Sequence, residues 1–262
     1  MENKRGLNKK SQVTLFIIFG LLILVSILAF FFLFPSPKFE STKKSSIEPY
    51  LEVKPCISKS LENVLPEFLE KGMYFNPPSY LVYKGKNVSY HCYTSQKRTI
   101  CTRNDAQSKR RIEEELENKI RNDVEKCFQE MKEKNKGFNI EMKETDFSVE
   151  IQPKRIYLKV RKPIEISKSD EGKLFFENFD VYVNSNIWDY IQISNEIINQ
   201  EVTCNCPMES CTADTIKLMS KYNDYKVIFF IGSRGEKVYT IEDYTEKKNT
   251  FHFAIKNCDK TP

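Results

Sequence analysis

The stretch from Val13 to Phe34, VTLFIIFGLLILVSILAFFFLF, is an unbroken apolar run with no charge, and its only polar members are Thr14 and Ser26. At about 1.5 Å of rise per residue, a helix of this length covers roughly 30–33 Å, the thickness of a bilayer's hydrocarbon core. The run reads as a transmembrane helix. Its apolar core exceeds the roughly 7–15 residues of a cleaved secretory signal, and no Ala-x-Ala-like site follows it. Pro35 and Pro37 cannot continue the helix and stop it at the outer interface. The expected order is a cytoplasmic basic tail (1–12), the membrane helix (13–34), a linker (35–46), an ectodomain (47–202) and a Cys-rich C-terminal region (203–262). The last of these either belongs to the same domain or stands apart.

Cysteine usage sets the side of the membrane. All eight cysteines (Cys56, Cys92, Cys101, Cys127, Cys204, Cys206, Cys211 and Cys258) lie C-terminal to the anchor, an even number, as in compartments where disulfides persist. Lys4, Arg5, Lys9 and Lys10 precede the run, which agrees with a cytoplasmic N-terminus. Of the formal charge of +5, the first twelve residues hold +3, so the remainder is nearly neutral. That leaves no electrostatic footprint for nucleic acid. Asn87-Val88-Ser89 is an N-glycosylation triplet, which fits an external body.

The segment Lys9-Lys10-Ser11-Gln12-Val13-Thr14-Leu15-Phe16 resembles the start of archaeal class III, type IV prepilin-like signal sequences. The resemblance implies cleavage between Ser11 and Gln12 by a prepilin-type peptidase, with the hydrophobic helix retained. Ser11 takes the place usually held by Gly, and Phe16 stands where pilins commonly bear a Glu. More of the chain resembles uncharacterised single-pass membrane proteins of small-genome archaea. The residues that carry this likeness are the Gln-Val-Thr-Leu-Phe-Ile-Ile opening, Tyr50-Leu51 through Cys56, Gly72-Met73-Tyr74, Pro77-Pro78 and a second Cys-bearing helix ending near Cys127. It implies a membrane-anchored ectodomain and no particular chemistry.

Ectodomain patterning predicts an α+β fold. Pro49 and Pro55 predict irregular chain as far as Ile57. From there Leu61, Val64, Leu65 and Leu69 recur at helical spacing, Pro66 marks a kink or break, and Gly72 stops the helix. Ser79–Tyr83 and Asn87–Cys92 read as strands about Lys84-Gly85-Lys86. Ser108–Lys132 carries the clearest stripe: Ile112, Leu116, Ile120, Val124, Phe128 and Met131. Its opening run of charge, Lys109 to Glu115, reads as an ordinary solvated face. Period-two alternation at Phe147–Ile151, Ile156–Val160 and Leu174–Val183, extended by Ile164 and Ile166 after Pro163, predicts a sheet buried on one face beneath this helix. A helix over Asn186–Val202 with Trp188 in its core, a short helix over Thr212–Tyr222 and three strands (Lys226–Ile231, Lys237–Ile241, Thr250–Ile255) complete the expectation. The strands are expected to be antiparallel.

Disulfides account for the cysteines most simply. Cys127, at the edge of its stripe, is expected to meet Cys56, and Cys92 to meet Cys101. One of Cys204 and Cys206 reaches Cys211 and the other Cys258, with the choice left open. Four thiolates also suit zinc, but the spacing lacks a paired C-x₂-C knuckle. A redox role would want C-x-x-C beside a βαβ unit, which is missing. His91 and His252 lie in strands without a surrounding motif. No G-x-S-x-G turn or phosphate-cradling loop occurs, and Asp243 and Glu246 are no better marked than other carboxylates. No catalytic residue, metal or cofactor is expected. The sequence therefore predicts a membrane-anchored extracytoplasmic protein with a structural, adhesive or binding role. Its partners are the bilayer, through residues 13–34, and other membrane or cell-surface proteins. A pilin-like filament subunit is the second reading, an anchored enzyme the third.

Overall fold

The computed structural model describes residues 20–26, 47–96, 99–104, 108–168, 171–203, 213–233, 235–244 and 249–257. The chain divides into two units, Met1–Ile47 and Glu48–Pro262. In the first, residues 20–26 are helical and exposed, and Ser26 Oγ donates to the Leu22 carbonyl at 2.7 Å, so its hydroxyl is satisfied within the helix. Among the described residues no helix is long and apolar enough to cross a membrane. The rest of the 13–34 run, the 1–12 tail and the 35–46 linker lie outside the described residues.

The second unit is α+β. Helix α1 (Pro49–Glu70) packs against helix α2 (Lys109–Lys134), and the two cover a meander of three long antiparallel arms. The middle arm is strand β6 (Arg155–Lys168). One flank is β4 (Asn139–Met142) followed by β5 (Asp146–Gln152), the other β7 (Glu171–Asn178) followed by β8 (Val181–Asn184). Ile156, Leu158, Val160, Ile164 and Ile166 of β6 face inward and are buried, which is the reason α2 lies across β5 on this face.

The second sheet runs β1-β2-β11-β10-β9, with β3 (Thr102–Arg103) also paired to β2. It joins the hairpin β1 (Tyr80–Tyr83) and β2 (Lys86–Tyr93) to strands from the far end of the chain: β9 (Tyr225–Ile231), β10 (Lys237–Asp243) and β11 (Thr250–Lys256). The strands after residue 203 thus share a sheet with residues 80–103. The pairing of β11 with β2 is parallel, against the expectation of antiparallel strands throughout. This sheet curls, so that Tyr83 of the first strand comes within 6.2 Å, ring to ring, of Phe230 in the last. Val88, Tyr90, Val238 and Ala254 form a small core inside the curl. On the opposite face Tyr239, Phe251 and Phe253 stack against each other and His91. Helix α3 (Ile187–Thr203) touches β5, and the short helix α4 (Thr215–Lys221), capped by Asp214, packs on β9.

Several local expectations need correction. Helix α1 starts at Pro49, not Ile57, and neither Pro55 nor Pro66 ends it. A proline in the first turn gives up an N–H that has no helical partner. Beyond it, the stripe Val53, Ile57, Leu61, Leu65 and Phe68 is fully buried and outweighs the ladder bonds that Pro55 and Pro66 forfeit. The stop at Gly72 is a Schellman turn: Met73 N–H reaches the Phe68 carbonyl at 2.8 Å and Gly72 N–H the Leu69 carbonyl at 3.1 Å. Gly72 has φ +77°, and a Cβ there would lie 2.9 Å from Ser89 Cβ. By contrast, strand β6 runs on through Pro163 in line with the alternation at Ile164 and Ile166, and the Pro163 carbonyl accepts Lys143 N–H at 3.0 Å. The expected strand at Leu174–Val183 is interrupted at residues 179–180, where Phe179 turns into the core. Trp188 is half-buried beneath Lys109 Nζ, 5.9 Å from the ring centre, and is not a core residue.

Candidate functional site

Cys56 and Cys127 are bonded, tying α1 to α2, and Cys92 is bonded to Cys101 across a short polar loop. Both pairs are among those that the sequence suggests. Cys204, Cys206, Cys211 and Cys258 lie outside the described residues, as do Ser11, Gln12 and Glu246. Asn87 is exposed at the start of β2, so its amide is accessible, whereas Val88 and Ser89 are buried. Among the described residues no three His, Cys, Asp or Glu side chains converge as a metal site would require.

The histidines are structural. His91 is fully buried, donates from Nε2 to the Gly72 carbonyl at 3.0 Å and stacks on Phe253. Burial pushes its pKa down to about 3. His252 bonds Thr240 Oγ1 at 2.9 Å under the edge of Tyr83, and burial lowers its pKa too. Asp243 is buried and accepts from Asn186 Nδ2. The charged opening of α2 is more than a solvated face. Glu113 accepts Ile151 N–H at 2.7 Å, Glu115 accepts Phe75 N–H at 3.1 Å, and Arg111 lies 3.8 Å over the Tyr74 ring.

Of the buried charges not singled out from sequence, two are almost wholly enclosed. The first is Lys162, an inward-facing residue of β6 amid its apolar row, with its side chain 3% exposed. Its ammonium donates to both oxygens of Glu125, at 2.8 and 2.9 Å, and to Thr145 Oγ1 at 2.8 Å, beneath the Phe128 ring. Three donors meet three acceptors, so the charge is fully satisfied. Partial burial tends to raise the Glu125 carboxyl, but the hydrogen bonds from Lys162 and Thr145 outweigh it and hold the group below its ordinary value. This triad sits at the break between β4 and β5 and floors a cleft of about 570 Å³, whose rim includes Arg121, Lys132, Lys143 and Glu144. The cleft can hold a polar ligand. The three hydrogen bonds to Glu125 and Thr145 hold the Lys162 side chain in place at its floor.

The second is Glu201, at the end of the α3 stripe and fully buried. Lys237 Nζ reaches its two oxygens at 2.8 and 2.6 Å, and Tyr239 OH donates to one of them. Burial, then the facing carboxylate, push the Tyr239 phenol well above its usual range. Ala213 N–H also points to Glu201 Oε1 at 3.3 Å, and Asn257 Nδ2 donates to the Glu201 carbonyl at 2.6 Å. Asn257 Oδ1 in turn accepts Cys101 N–H at 3.0 Å. The cluster therefore ties together the chain just before Cys204, just after Cys211 and just before Cys258. Both buried charges had a sequence signal: each occupies a position in phase with an apolar row. Comparison of the chain with family models, with curated proteins and with solved structures returned no match.

Proposed function

We propose that this chain is a single-pass, membrane-anchored protein that presents a disulfide-stapled α+β body outside the cytoplasm, in a structural, adhesive or binding role. The observation that carries the reading is the Cys56–Cys127 bond. It clamps the two helices on which the body is built, and a structural disulfide of that kind belongs to an oxidising compartment. The apolar run 13–34 supplies the anchor, and a presentation role needs no reacting groups, only surface. The cleft over Lys162 and the exposed strand β9 are the surfaces such a body offers.

The test is topology. In intact cells, a membrane-impermeant thiol reagent added after external reduction should label the body, and without reduction it should not. Free thiols that only a permeant reagent reaches would refute the reading. A pilin-like subunit remains the second reading, favoured by the Lys9-Lys10-Ser11-Gln12 leader. Replacing Gln12 would then increase the mature mass by the uncut leader, and an unchanged mass would remove it.

A further inference from the structure

Strand β9 reads Tyr-Lys-Val-Ile-Phe-Phe-Ile and lies at the edge of its sheet, pairing among the described residues with β10 alone. Ile228, Phe229, Phe230 and Ile231 are exposed at 41, 37, 56 and 51%. Folded proteins usually blunt such an edge with charge, proline or a bulge. The opposite edge shows such protection: β1 is four residues long and is followed by Lys84 and Lys86. Beyond Lys226, β9 has none.

The backbone determines which groups the edge offers. Gly232 N–H donates to the Glu236 carbonyl and Tyr244 N–H to the Asp224 carbonyl, extending a ladder in which Ile231 faces Lys237 and Tyr225 faces Asp243. Antiparallel ladders alternate, so 226, 228 and 230 turn their N–H and C=O toward β10. Val227, Phe229 and Ile231 turn theirs outward. At the other end of the strand Tyr225 N–H is already taken by the Tyr222 carbonyl.

We propose that β9 is a self-association edge, pairing antiparallel with β9 of a second copy about a two-fold axis through Phe229. A two-fold axis requires self-complementarity, and this edge has it. Phe229 lies opposite its own copy and Val227 opposite Ile231, so the outward N–H and C=O groups of all three residues find partners across the axis. Ile228 stands opposite Phe230 on the other face, which makes two apolar cross-strand pairs. Lys226 lies opposite Gly232, and no like charges meet. Other registers of the same parity pair fewer outward groups, and those of the opposite parity pair outward groups with inward ones.

The exposed side chains leave roughly 350–400 Å² per copy to be covered, at about 200 Å² for a fully exposed side chain of this size. Two copies stay below the roughly 1,200 Å² of stable complexes, so the dimer is reversible and forms as concentration rises. The pairing is a property of the folded body and does not depend on where residues 13–34 lie.

Sedimentation velocity of the full-length chain in mild detergent tests it, with far-UV circular dichroism confirming that each variant is folded. The wild type should pass from monomer to dimer with concentration. Phe230→Lys and Ile228→Glu alone should each weaken dimerisation at least tenfold. Combined in one chain they should restore it, because the new ammonium and carboxylate face each other across the axis. Ile231→Pro, which removes an outward N–H and no bond to β10, should also abolish the dimer. A wild type that stays monomeric up to its solubility limit, a dimer that survives the single variants, or a double variant that fails to recover would each overturn the proposal.

Discussion

Cys56 and Cys127 stand 71 residues apart in the chain, and their Cα atoms are 5.8 Å apart across the α1–α2 interface. A cross-link over a loop this long restricts the unfolded chain more than one over the nine-residue separation of Cys92 and Cys101. Loop-closure arguments give about 4 kcal/mol for the first and about 3 for the second. Replacing both cysteines of a pair by alanine should lower the free energy of unfolding in that order. Urea titration of the two double variants checks the ranking.

The Lys162–Glu125 pair is lopsided, with the lysine 3% and the carboxylate 43% exposed. Removing Lys162 (Lys162→Met) leaves a carboxylate that water can reach, and should cost about 1 kcal/mol. Removing Glu125 (Glu125→Leu) strands a buried ammonium with only Thr145 for company, and should cost about 3 kcal/mol. Equal losses in denaturant titrations would contradict the burial described for the two groups.

Acid should weaken the fold through His91. The unfolded chain takes up a proton near its ordinary value of 6.5, whereas the buried ring resists until about pH 3. Because the folded pKa is depressed for a base, the unfolded state binds more protons between those limits. Stability is then full above about pH 6.5 and falls as pH drops toward 3, by on the order of 4 kcal/mol. Glu125 works in the same direction at lower pH. Its contribution is present above its ordinary 4.5 and is lost as pH falls through its lowered value. Urea midpoints from pH 7 to 4 should decline, and His91→Gln should flatten that decline.

Glu201 anchors three stretches that border four cysteines, and this fixes an expectation for their pairing. Cys204, Cys206, Cys211 and Cys258 should bond among themselves, one of the first two to Cys211 and the other to Cys258. Peptide mapping under non-reducing conditions reads this directly. A cross-link from any of them to Cys56, Cys92, Cys101 or Cys127, or a bound zinc in their place, would contradict it.

Legibility followed the range of the interaction. The α2 stripe from Ile112 to Met131, the turn at Lys84-Gly85 and the alternation of β5 and β6 are local patterns, and each is present as read. The Cys56–Cys127 bond followed from a cysteine at the edge of the α2 stripe and another on the preceding helix. The irregular chain expected around Pro55 and the break weighed at Pro66 did not occur, because burial of the α1 stripe outweighed a local penalty. The parallel pairing of β2 with β11 joins residues 160 or more positions apart, and nothing local encodes it. Lys162 and Glu201 were legible in principle. Each is a charge at a phase where the surrounding row demands an apolar residue.

The position of β11 sets a schedule for making the protein. It is the middle strand of its sheet, yet among the described strands it comes last in the chain. A chain synthesised only as far as residue 249 still holds two separated half-sheets, β1–β3 and β9–β10, without the β11 strand that bridges them. Truncation just before Thr250 should leave a species that retains the meander and both helices but stays protease-sensitive at each end. Strand β11 thus acts as the latch on its sheet.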